Sequence, residues 1–361
     1  MSEVSADDWL TDYLAQKGLA GPVWDGPAPS ADAARGRGWL ERLQVIYGHF
    51  LDEVSPARPT TFTWIEDRSL NAFADTWRGR SVVGINLGAA EVLIDFFSAA
   101  LSSARILPQI GNTEVEEYFW DELEIDPGGV PAPSGAVPRR TPRDPDRRRW
   151  AFLLTQLALE FTVLHELSHI VAGHLLFKRA RLGLRSPTRA RPVSPRPSRS
   201  LETQRLLELD ADAYALNLFT TNLLGRRVSA TPIPAGGSDQ ELYLMTSLAL
   251  NAYFALTSPE AFGVDYTAKT HPDPSLRLLF AVDIVEPLLP ARKASAFRDA
   301  YFSAFEVMHD VWEELGVAQQ HSSRSYLSFM GKATGLDDER LWLAGQHQEI
   351  LNLLSPFDMR D

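Results

Sequence analysis

Cysteine is absent from the 361 residues. Its absence excludes disulfides, thiolate metal sites and cysteine nucleophiles, so any chemistry must run on nitrogen and oxygen groups. Positive charge is also in short supply. A net charge of -12 repels a phosphate backbone on average, and no stable nucleic-acid complex is expected. Long apolar runs are missing as well. The nearest, VVGINLGAAEVLIDFFSAAL, is interrupted by Asn86, Glu91 and Asp95, short of the ~18 apolar residues that a membrane span requires. The opening MSEVSADDWL is acidic and has neither the basic start nor the apolar core of a signal peptide. The expectation is a cytoplasmic protein with no membrane span. With 45% hydrophobic residues, the chain can bury a sizeable core.

What is present is mainly helical pattern. GWLERLQVIYGHFLDEV, within the first 60 residues, reads as an amphipathic helix. TTFTWIE and RSVVGIN are short β-branched runs, the second preceded by a turn signal at Gly79, and both read as strands. A helix is expected from about Ala89 to Ser103. The stretch 126–146 is dense in Pro, Gly and Arg and reads as a loop or flexible insertion. It closes on a helix start, with Asp144 as N-cap and Pro145 in the first turn. The apolar run that follows continues to about Leu176 and is apolar all round, which marks a helix central in a core. A second insertion, 179–200, is rich in Arg and Pro with little to pack; it is expected to be mobile, with docking of an acidic partner as one use. Helical pattern resumes with LETQRLLELDADAYALNLFTTNLL and again with ELYLMTSLALNAYFALT, which leads to the loop KTHPDPSLR.

The central helix carries FTVLHELSHIVAGH, residues 161–174. Within it His165, Glu166 and His169 form H-E-x-x-H. Positions i and i+4 lie on one helix face, so the two imidazoles can converge on one ion, and Glu166 can reach a water on that ion. Two imidazoles and a carboxylate on a buried face would cost several kcal/mol without partners, and a metal supplies the partner. His174 is nine residues from His165. On a regular helix that is about 180° away, so His174 reads as a capping or structural residue outside the metal site. A third ligand is better sought in LELDADAYA. There Glu208 and Asp212 are again i and i+4: one can bind the metal, and the other can accept the free ring N–H of a ligating histidine. The apolar flanks Leu206, Leu207, Ala211, Ala213 and Leu216 turn this face inward.

H-E-x-x-H followed by a helix carrying ELDAD resembles the gluzincin metallopeptidases. It is most similar to the HtpX-like and CAAX-prenyl endopeptidases and to the soluble Lit-type peptidases that act in bacterial phage exclusion. LNAFADTWRGRSVVGINLG, 70–88, is similar to the segment those enzymes place ahead of the catalytic helix as a strand lining the cleft. THPDPSLRL, 270–278, is similar to a motif downstream of their glutamate ligand. The resemblance implies a zincin-like core of mainly α (α+β) class, with a small sheet packed on the H-E-x-x-H helix. It implies His165, His169 and Glu208 as zinc ligands, Glu166 as catalytic base, Asp212 behind a ligating histidine, and His271 or Arg277 as stabiliser of the oxyanion or shaper of the cleft. The expected division is an N-terminal helical region 1–59, a metallopeptidase core 60–290 and a C-terminal helical region 291–361. The implied activity is zinc-dependent cleavage of a protein or peptide substrate, in a defence or stress setting. The rival readings are a zinc-stabilised interaction or sensor protein and a zinc hydrolase of a non-peptide substrate.

Overall fold

Asp144 opens the longest buried helix as the sequence suggests: its carboxylate accepts from the backbone N–H of Asp146 and Arg147, and Pro145 occupies the first turn. In the computed structural model this helix, α4, runs Pro145–Val171. The structure describes residues 6–21, 31–54, 56, 58–116, 140–182, 198–225, 238–257, 274–314, 345, 347–348 and 350–358. Most of the 126–146 segment, most of the 179–200 segment and His271 lie outside the described residues.

The architecture is mainly helical, with one small sheet. In chain order, α1 (Ala6–Lys17) and α2 (Ala31–Val54) precede β1 (Thr60–Ile65), β2 (Ala72–Trp77) and β3 (Arg80–Asn86). Then come α3 (Leu87–Leu101), α4, α5 (His174–Leu182), α6 (Ser198–Gly225), α7 (Asp239–Thr257), α8 (Pro274–Val285) and α9 (Ala291–Glu314). The two runs expected as strands are β1 and β3. Between them in sequence lies β2, which local pattern alone does not announce, because AFADTW has weak alternation and a mid-strand aspartate. That Asp75 is buried at 1% exposure and is held by Tyr13 Oη at 3.0 Å and Lys17 Nζ at 2.7 Å, both from α1. Tertiary partners offset the cost of burying it.

The strand order is β1-β3-β2, with β1 parallel and β2 antiparallel to β3. Arg78 and Gly79 join β2 to β3 with φ of 47° and 80°. Two successive positive φ values make the turn whose twist matches a tight hairpin. β2 is therefore an edge. Asn86 donates to the Asn71 carbonyl, so by alternation residues 73, 75 and 77 bond to β3, and the backbone of Ala72, Ala74 and Thr76 points away from it.

α4 is buried along almost its whole length, from Trp150 to Val171, and packs against α2, α3, α6, α7 and β2. The main apolar cluster extends from Leu43 of α2 through α3, α4 and α7 to Val311 of α9. A separate cluster joins Phe177 of α5, Leu206, Leu207 and Leu209 of α6 and Leu279 of α8 to Ile350 and Leu354 of the C-terminal segment. Among the described residues, no helix is long and apolar enough to cross a membrane.

The run through 150–176 is not one helix. α4 stops at Val171, Gly173 takes φ +71°, and α5 starts afresh at His174. Glycine is demanded twice at this break, by the left-handed backbone and by space, since a Cβ there would lie 2.0 Å from the Phe357 carbonyl oxygen. Gly173→Ala is expected to cost at least roughly 1–2 kcal/mol from backbone strain alone. A thermal melt within error of wild type would contradict this.

Candidate metal centre

α4 and α6 cross so that two i, i+4 pairs face each other. His165 Nε2 and His169 Nε2 each lie 3.3 Å from the same oxygen, Oε2 of Glu208. Ligand atoms of His165, His169 and Glu208 lie within 4.8 Å of one another, and all three side chains are buried. Behind the first histidine, His165 Nδ1 is 2.8 Å from Asp212 Oδ1. Asp212 is clamped in turn by Arg277, whose Nε and Nη2 each donate at 2.7 Å. Arg277 is 1% exposed and stacks 4.2 Å over the Phe254 ring. The structure therefore turns Arg277 onto Asp212, behind His165.

His174 requires a correction. A continuous helix would carry it to the far side, but the break at Gly173 swings it back against the second histidine. His174 Nδ1 lies 2.8 Å from His169 Nδ1, with the rings 5.0 Å apart, and His174 Nε2 lies 2.9 Å from Asp210 Oδ2. It falls outside the convergent triplet but touches one of its members. His347 of the C-terminal segment reaches the other oxygen of Asp210 at 2.8 Å. The sequence reading of His174 as outside the metal site agrees with the convergent triplet, but its contact with His169, and the roles of Asp210 and His347 behind it, were not foreseen. The only available signal was the glycine before His174.

The hydrogen-bond directions follow from the acceptors at the ends of each chain. A carboxylate only accepts, so His165 carries its proton on Nδ1, toward Asp212, when neutral. His174 likewise carries its proton on Nε2, toward Asp210. That leaves its Nδ1 as an acceptor and requires His169 to donate from Nδ1. Both Nε2 atoms of the pair then aim lone pairs at the Glu208 oxygen. Three acceptors so close together repel unless a proton or a cation lies between them, and this donor set fits a divalent metal of zinc type.

Electrostatics separates the groups. Burial opposes charging His165, but the hydrogen bonds it donates to Asp212 and Glu208 outweigh it, and its pKa is raised to about 9. Burial dominates at His169 and pushes it down to about 3. Burial raises Asp212 too, yet Arg277 and His165 more than offset this and hold it below its ordinary value. Glu166 is pushed up to about 7, chiefly by burial, with the Glu208 charge adding and His165 opposing. Its carboxylate also accepts from the Ala74 backbone N–H on the outer edge of β2. On the same edge, Arg179 donates to the Thr76 carbonyl at 3.1 Å, and Lys178 sits 3.2 Å from Glu208 Oε1.

Residues 118–294 match the Peptidase U49 family model. The match supports a peptidase family. It takes in α4 to α8 and with them His165, Glu166, His169, Glu208, Asp212 and Arg277, while the sheet and His347 lie outside it. No curated protein and no solved structure matches the chain.

Proposed function

We propose that the protein is a zinc-dependent endopeptidase in which His165, His169 and Glu208 hold the ion and Glu166 is the general base. The convergence of the two Nε2 atoms on one Glu208 oxygen carries the reading. The Peptidase U49 match supports the peptidase part of it. A zinc ion bound there would act as a Lewis acid, polarising a carbonyl and acidifying water.

The chain's own residues supply the rest. Glu166, with a pKa near neutrality, takes a proton from the attacking water as oxygen adds to the peptide carbonyl carbon. As the C–N bond breaks, the same carboxyl returns the proton to the leaving amine. Asp212, fixed by Arg277, holds His165 with Nε2 turned to Glu208 Oε2, where it would serve as a ligand. The resemblance to the Lit-type peptidases favours a specific protein substrate in a defence or stress setting. A purely structural zinc would need ligands but no base, and the buried Glu166 beside the triplet favours the enzyme.

The test is metal content. The wild-type chain should bind one zinc, and His165→Ala or Glu208→Gln should each lose it on dialysis, as read by elemental analysis. Zinc content unchanged in both variants would remove the ligand assignment.

A further inference from the structure

We propose that His174 is a positioning residue for His169, and that the chain His169–His174–Asp210–His347 ties the metal centre to the seating of the C-terminal segment. This rests on the metal reading above.

The two histidines of the α4 pair are supported differently. His165 leans on a carboxylate from α6 that Arg277 clamps. His169 leans on a second imidazole, reached only because α4 breaks at Gly173 and returns His174 to it. His174 is 0% exposed and Asp210 is 1% exposed, so this arm is shielded from water until it reaches His347, whose side chain is 20% exposed. Inside such a shielded arm each proton has one place to sit. Asp210 takes Nε2–H of His174, His174 takes Nδ1–H of His169, and His169 is left with Nε2 free and its ring plane set.

The C-terminal segment holds this arm at three independent points. His347 bonds Asp210. The Phe357 carbonyl rests on Gly173, and the Phe357 ring stands edge-on to Phe177 at 5.8 Å, bracing the turn that presents His174. Ile350 and Leu354 pack with Leu207 and Leu209, the residues on either side of Glu208. One segment, beyond the stretch matched by the family model, thus braces the support of His169 and the flanks of Glu208. Lifting it removes a hydrogen bond from Asp210 and the packing that fixes the backbone of Glu208. The ion is then held by ligands that are present but loosely aimed.

The test uses the full chain labelled with 15N-histidine and reads two things. Long-range proton–nitrogen correlation reports which ring nitrogen of each histidine is protonated, and competition with a chromophoric chelator reports the zinc dissociation constant. We expect His169 protonated at Nδ1 and His174 at Nε2, in metal-free and zinc-loaded protein alike. His174→Phe should weaken zinc about 10–100-fold, and His174→Gln, which keeps a donor and an acceptor, should recover much of the loss. His347→Ala should weaken zinc in the same direction by less, with the melting temperature of the metal-free protein lowered only by the modest amount that one lost hydrogen bond costs. Should His174→Phe fail to fold, the part-exposed His347→Ala carries the affinity test.

Zinc affinity within about twofold of wild type in the folded variants would overturn the proposal. So would a His169 that carries its proton on Nε2. A wild-type chain that binds no zinc would defeat the metalloenzyme reading instead, and the metal-free tautomers would still decide the histidine chain.

Discussion

Glu166→Gln is expected to lower kcat by ~10²–10⁴ while leaving zinc content at the wild-type level. Gln is nearly isosteric with Glu, and its carbonyl oxygen can still accept from the Ala74 N–H. What it cannot do is take a proton from water. Glu166 is 8% exposed, and burial holds its pKa at about 7, where a carboxylate is a far stronger base than one in open solvent. Comparing new protein N-termini in cells carrying wild type or the Gln variant would give both the substrate and the effect. A Gln variant that still cleaves would end the assignment of Glu166 as the base. A variant that loses cleavage together with zinc would show that Glu166 acts by supporting the ligands.

The largest stability effect is expected at Arg147, about five turns before the histidines in the helix that carries them. The side chain is 0% exposed and works as a spool for the turns after α3. Nε donates to the Leu101 carbonyl at 2.7 Å, Nη1 to Leu107 and Ile110 at 3.0 and 2.9 Å, and Nη2 to Ser103 and Ile106 at 2.7 Å each. Glu116 lies 3.8 Å from Nε and also accepts from the backbone of Arg143 and Asp144, just before α4 begins. Removing the guanidinium takes a hydrogen-bond donor from five carbonyls and the countercharge from a buried carboxylate together. Breaking a buried pair of this kind costs about 3–5 kcal/mol. Arg147→Met should therefore shift the urea midpoint strongly, and Arg147→Lys should recover only part, because an ammonium cannot span five acceptors. A loss under about 1 kcal/mol in the Met variant would mean that these carbonyls find other partners.

The difference in legibility between α4 and β2 has a physical source. α4 was readable because a capping aspartate, a first-turn proline and a long apolar run are local signals that agree with one another. β2 was not, because Asp75 is tolerable in a buried strand only where Tyr13 and Lys17 meet it, and these are more than fifty residues away in the chain. The end of α4 was misread for a related reason. Apolar periodicity runs on through Leu176, whereas the chain turns at Gly173, whose left-handed backbone and close approach to Phe357 leave no place for a side chain.

His165 and His169 were legible as a pair on one face of α4, with Glu166 beside them, since a spacing of four on one helix sets their direction without help from the rest of the chain. Glu208 and Asp212 were legible as a facing pair, but their division of labour follows from how α6 lies across α4: one oxygen of Glu208 meets both Nε2 atoms while Asp212 falls behind His165. The sequence by itself determined the mainly helical class, the central helix and the pairing of two imidazoles on one of its faces, because those depend on composition and short-range periodicity. Only the tertiary structure decided that His174, Asp210 and His347 line up behind His169 and that Arg277 is turned onto Asp212. Those contacts span from 5 to 137 positions along the chain, and even the shortest depends on a backbone reversal that no periodicity encodes.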